Sequence, residues 1–166
     1  MKTTIITLLI SLFTCQAKAQ DFEVPKDYVL ESAADYEKYE DAVLDCVDWL
    51  METPANDDLV KRKAANRFLL AWVTGSPNIT ITLSADVLPY LKTSPGMLLV
   101  YFGGWVKHAL EEKDYDNAIA GSLAGTEWVL DFYTKNRSML SKDKNIEKLL
   151  KLREKGKLKS FIESNS

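Results

Sequence analysis

Apolar residues return at steps of three and four along most of this chain, and that period restricts it to helices. Tyr36, Tyr39, Val43, Cys46, Val47 and Leu50 form the first such stripe, which places them on one side of a helix. Ser32 with Asp35 predicts a capping box at its start, and Pro54 predicts its end. A second helix is expected to run to Gly75, capped by Asn56, with Asp57 and Asp58 at its positive end. Its expected buried face is Val60, Ala64, Phe68, Ala71 and Trp72. Ser94 and Pro95 suit the cap and first position of a third long helix, with Leu98, Tyr101, Phe102, Trp105, Val106 and Ala109 buried. A polar turn, "EEKDYD", leads into a helix from about Asp116 to Asn136. A last helix is expected from near Asp143 to Gly156, with a continuation to about Glu163.

Residues 74–95 break the period. They hold Pro77, Pro89 and Pro95, and a brief alternation at Ile79, Ile81 and Leu83. The expectation is an extended segment near 76–84, too short to make a sheet alone, followed by a helix of one or two turns near Asp86–Lys92. The fold class read from these patterns is all-α. Five to six helices form antiparallel pairs, stacked as an orthogonal bundle or a short right-handed αα-superhelix.

The stretch "YFGGWVKHALEEKDYDNAIAGSLAG" holds Gly103, Gly104, Gly121 and Gly125, four of the chain's seven glycines, and its one histidine. A phosphate-binding loop needs glycines ahead of a helix N-terminus, where backbone N–H groups are free. These four lie in the middle of helices, where each costs about 1 kcal/mol relative to alanine. Close approach of two neighbouring helices offsets that cost, so the glycines predict packing. Within the same stretch, "EKDYDNAI" resembles the turn of a tetratricopeptide repeat, with Tyr115 and Ala118 at the matching positions. Lys113 and Asp114 stand where that turn usually has glycine, and no second copy follows at a 34-residue period. The resemblance spans one helix pair, roughly Gly96 to Thr134, and implies an αα-hairpin.

Residues 1–19 carry the pattern of a secretory signal peptide. Lys2 supplies the charge, Ile5 to Phe13 the apolar run, and Ala17-Lys18-Ala19 a small-x-small cleavage site. The apolar run is too short to span a bilayer. Lipidation at Cys15 is the competing processing route, against which Phe13 is bulky and Thr14 an unusual neighbour. The expected mature chain, 20–166, is one helical domain that begins at Gln20. It keeps one cysteine, Cys46, and so must hold together by packing without an internal disulfide. Cys46 reads as a small buried hydrophobe. Loss of Lys2 and Lys18 moves the formal net charge from −3 to −5, and nothing in that balance points to nucleic acid. Asn78-Ile79-Thr80 is formally a glycosylation sequon.

Charge is divided along the chain. Residues 21–58 hold 13 acids and two bases, and residues 142–159 hold eight bases and three acids. One expectation is that the basic last helix folds back on the acidic first one. The alternative is that it meets an anionic partner or membrane surface through Ile146, Leu149, Leu150, Phe161 and Ile162. Trp72 and Trp105 fall on core faces. Trp49 falls off the main stripe and is expected beneath a loop or, if exposed, as a contact anchor.

Candidate chemistry is sparse. His108 stands four before Glu112, with Glu111 and Asp114 near, but a zinc site needs three or four ligands. The pairs Asp57/Asp58 and Glu111/Glu112 are adjacent, and adjacent side chains on a helix point about 100° apart. No catalytic, cofactor-binding or metal residue is assigned from the sequence, and no cofactor is implied. The expected function is an exported, non-catalytic helical module, periplasmic or extracellular in a bacterium. It would contact another protein or an envelope component, with no nucleic-acid partner and no integral membrane span. The alternatives are a carboxylate-dependent hydrolytic enzyme and an immunity or inhibitor protein for a secreted enzyme.

Overall fold

A computed structural model describes residues 22–166, which form seven α-helices, one 3-10 turn and no strand. The expected signal peptide and Cys15 lie outside the described residues. The helices are α1 (Ala33–Lys38), α2 (Glu40–Glu52), α3 (Leu59–Gly75), α4 (Met97–Glu112), α5 (Ala118–Lys135), α6 (Lys144–Glu154) and α7 (Leu158–Asn165). The 3-10 turn, Pro89–Lys92, precedes α4. The all-α class and the bundle packing agree with the sequence reading.

The helix α4 is the centre. It lies against α2, α3, α5 and the 3-10 turn, and its contact with α5 is the most extensive in the molecule. Tyr101 through Val106 are all buried, as suits a helix surrounded by others. On the far side of α5, α6 and α7 close the bundle.

Three of the four central glycines make the α4–α5 contact. A Cβ on Gly104 would sit 2.6 Å from Trp128 Cβ and 2.7 Å from the Ala124 carbonyl oxygen. On Gly125 it would sit 2.7 Å from the Tyr101 carbonyl oxygen, and on Gly121 2.3 Å from Trp105 Cε2. Gly103 differs, because its Cβ would meet Val47 at an ordinary 3.4 Å. The hairpin turn holds Lys113 in the left-handed region at φ 54°, a conformation that favours glycine. The turn geometry therefore survives without the glycine.

Several expectations need correction. The first helix is two, because Tyr39 leaves helical geometry at φ −100°, ψ 3°. Its ring is held edge-on by Tyr28 and Phe68. This break raises the helix count to seven. The cap of α3 is Asp58, not Asn56, and its carboxylate accepts from the Lys61 N–H at 3.1 Å. The buried face is Ala65, Phe68, Leu69 and Trp72, while Val60 is 84% exposed and Ala64 is exposed. Ser94 is not the side-chain cap of α4. The residue before that helix is Gly96, and the Ser94 hydroxyl donates to Asp143 at 2.7 Å. The capping box of α1 is present: the Asp35 carboxylate accepts from the Ser32 N–H at 2.8 Å.

The segment 76–96 is a pinned connection. Ile79, Val87, Leu88 and Tyr90 are buried, and the Ser84 hydroxyl donates to the Asn165 carbonyl at 2.6 Å. The short helix expected near Asp86–Lys92 is the 3-10 turn. The basic last helices fold back on α5, not on the acidic first segment. Arg153 pairs with Glu127 at 3.0 Å and Asp131 at 2.5 Å, both on α5.

One buried carboxylate ties the two ends of this half together. Asp143 caps α6, accepting from the Asn145 N–H at 2.8 Å and the Ile146 N–H at 3.2 Å. The same carboxylate accepts from the Thr93 and Ser94 hydroxyls of the crossing segment. Its own N–H donates to the Tyr133 hydroxyl on α5 at 3.2 Å.

Candidate functional site

The residues singled out for chemistry do not converge. Asp58 caps α3, and Asp57 accepts from the Asp58 N–H at 2.8 Å, so both carboxylates serve their own loop. Glu111 pairs with Lys107 at 2.8 Å, which also holds Asp48 on α2. His108 lies 3.5 Å from Asp114. Among the described residues no group of three or more His, Cys, Asp or Glu side chains is placed to hold a metal ion. Cys46 is fully buried against the Ala65 carbonyl. Burial pushes its thiol up to about 12, far from the thiolate that reactivity requires.

Trp49 is half-buried and packs beneath the N-terminal loop, its ring 6.3 Å from that of Phe22. The Lys61 ammonium sits 4.8 Å and the Arg62 guanidinium 5.6 Å from the indole centre, both within cation–π range.

A concave feature of the bundle lies beside this cluster. A cavity of about 240 Å³ opens between α2, α3, α5 and the start of α4. Its walls are Val47, Leu50 and Met51 from α2, Met97, Leu99, Val100 and Gly103 from α4, and Trp128 and Phe132 from α5. Ala55 and Leu140 close it from the loops, and exposed Gly96 marks where it meets the surface. Gly103 lies in this wall, where a Cβ would meet Val47 of α2 at 3.4 Å and Trp128 of α5 at 3.7 Å. Only two lining side chains carry a charge or an amide: Arg62 and Asn66 of α3.

Arg62 is held rigidly. Nη1 donates to the Leu50 carbonyl at 3.1 Å, and Nη2 to those of Thr53 at 2.7 Å and Pro54 at 3.1 Å. Leu50 is in the last turn of α2 and Thr53 and Pro54 directly follow it; the partial negative charge at a helix C-terminus attracts a cation. The guanidinium also lies 5.7 Å from the centre of the Phe132 ring. Burial draws the Arg62 pKa below its ordinary value, and Asp57 counters it.

The sequence reading missed Arg62, Asn66 and the cavity. It set the face of α3 one position off, at Val60 and Ala64. On the observed face of Ala65, Phe68, Leu69 and Trp72, Arg62 lies three before Ala65 and seven before Leu69. A charged residue inside the buried stripe was the signal. No protein-family model, no curated protein and no solved structure matches this chain.

Proposed function

We propose that the protein is an exported, non-catalytic binding module that takes up an apolar group of an envelope component or a partner protein. The observation that carries this reading is the apolar cavity walled by four helices. Binding sites are concave, mostly apolar, and marked by a few polar groups; the cavity has that composition. The signal-peptide pattern of residues 1–19 supports export. Of the paired candidate carboxylates, Asp57 and Asp58 are turned to their own loop and Glu111 to an ion pair, which favours binding over hydrolysis.

Val100 lines the cavity and is half-buried, so Val100→Phe is expected to fill it while keeping the apolar face of α4. The test is a crosslinking capture of envelope components, with wild-type and Val100→Phe protein run in parallel and the bound material identified by mass spectrometry. A component held by the wild type and reduced at least tenfold in the variant supports the reading. Equal capture by both, with the variant folded, overturns the cavity as the site. Chemical conversion of the captured component by the wild type overturns the non-catalytic assignment.

A further inference from the structure

Arg62 and Asn66 stand four apart on α3, so they share one side of that helix. A guanidinium has five N–H donors, and three of them meet carbonyls. Among the described residues the Nε hydrogen has no acceptor, but Nε is closed off from solvent and so from a ligand as well. One Nη1 hydrogen has no acceptor among the described residues and is the guanidinium donor left for a ligand. Among the described residues no carboxylate lies within 4.0 Å of this guanidinium, although each of the ion-paired arginines, Arg137 and Arg153, has one. Arg62 is therefore a half-buried charge whose hydrogen-bond partners are all neutral carbonyls, with Asp57 acting on it only from beyond ion-pair distance, a state that a closer anion improves. The Asn66 side-chain amide beside it makes no hydrogen bond to the described residues and offers two further donors. The remaining walls are apolar.

Size narrows the occupant. A dry cavity of about 150 Å³ holds benzene, a six-carbon ligand, so about 240 Å³ corresponds to about ten carbons. We infer that the cavity takes a small amphiphile, an apolar chain or ring of about ten carbons bearing a carboxylate, with the carboxylate at Arg62 and Asn66. A medium-chain fatty acid is the simplest molecule of this class. The inference rests on the cavity being the binding site. It adds the polarity, charge and size of what binds.

Isothermal titration of the purified protein at neutral pH with decanoate, decanol and decylammonium, each below its aggregation concentration, tests this. Decanoate is expected to bind about tenfold tighter than the other two, the effect of one hydrogen bond to a charged group. Asn66→Ala is expected to weaken decanoate about fivefold and leave decanol unchanged, because only the head group meets the amide. Because Arg62 also holds the end of α2, Arg62→Lys serves as the charge-keeping variant. It is expected to stay folded by circular dichroism and to lose part of the decanoate preference. Equal affinity for decanoate and decanol would overturn the carboxylate assignment and leave the cavity as an apolar site. No binding by any ten-carbon probe would overturn the inference, while the Val100→Phe capture decides separately whether the cavity binds at all. Tighter binding of a short peptide ending in a free leucine carboxylate than of decanoate would overturn the small amphiphile in favour of a protein tail.

Discussion

Replacing Gly125 by alanine is expected to destabilise the protein by about 2 kcal/mol, although alanine is the better helix former. The added methyl group would lie 2.7 Å from the Tyr101 carbonyl oxygen and 2.7 Å from Tyr101 Cδ2. The first is backbone and cannot rotate away, so α4 and α5 must separate. Overpacking of this kind costs about 3 kcal/mol at the upper end of its usual range, and the gain in helix propensity returns about 1 kcal/mol. For a chain of this size the net loss lowers the melting temperature by about 5 °C. Gly104→Ala is expected to behave alike, since its methyl group would meet the Ala124 carbonyl oxygen at 2.7 Å. Gly103→Ala is the internal control. Its methyl group meets only ordinary contacts, so the propensity term wins and the variant is expected to be neutral or up to about 1 kcal/mol more stable. Denaturant unfolding of the three variants checks this. Equal effects at Gly103 and Gly104 would contradict the close approach of α4 and α5.

The second large effect is expected at Asp143. Burial raises the pKa of its carboxylate, but the hydrogen bonds from Ser94, Thr93, Asn145 and Ile146 outweigh that and hold it below the ordinary 3.8. Asp143→Ala removes the cap of α6, worth about 1–2 kcal/mol. It also takes the acceptor from the Ser94 and Thr93 hydroxyls, worth about 1 kcal/mol or more together. A loss of about 3 kcal/mol is expected from these sums. Asp143→Asn keeps the shape and loses less. The sign of the pH dependence follows from the depressed pKa. The carboxylate's contribution is fully present above 3.8 and disappears as pH falls through the lower folded-state value. The stability gap between wild type and Asp143→Asn is therefore expected to be constant near neutrality and to close as pH falls below 3.8. A gap that stays constant down to pH 2 would contradict an ionised, hydrogen-bonded Asp143.

Much of the fold was legible because long amphipathic helices announce themselves by period. The stripe on α4, apart from Leu98, which is only half-buried, the glycine contact with α5 and the burial of Cys46, Trp72 and Trp105 all follow from local spacing. What was not legible depends on tertiary contacts. The break at Tyr39 leaves no punctuation in the sequence, since the residue is held by Tyr28 and Phe68 from elsewhere in the chain. Ser94 looks like a helix cap by position, yet its hydroxyl is claimed by Asp143, 49 residues away. Asp58 displaces Asn56 as cap, its carboxylate accepting from the Lys61 N–H, and the face of α3 is set by packing in the core, which takes Ala65 and Leu69 in place of Val60 and Ala64. The candidate site was lost with it, since Arg62 belongs to the buried stripe only once the face is correctly set. Charge segregation gave the wrong neighbour for the last helices. A screened attraction between surfaces does not choose a partner, whereas Arg153 reaching two acids on α5 does.

The measurement that bears most directly on the binding-module reading is hydrogen–deuterium exchange of the protein with and without its captured envelope component. Amides of 47–52 on α2 and 97–103 on α4, which border the cavity, are expected to slow on binding, with α6 and α7 unchanged. Protection confined to the basic helices α6 and α7, with the cavity segments exchanging as before, would contradict it.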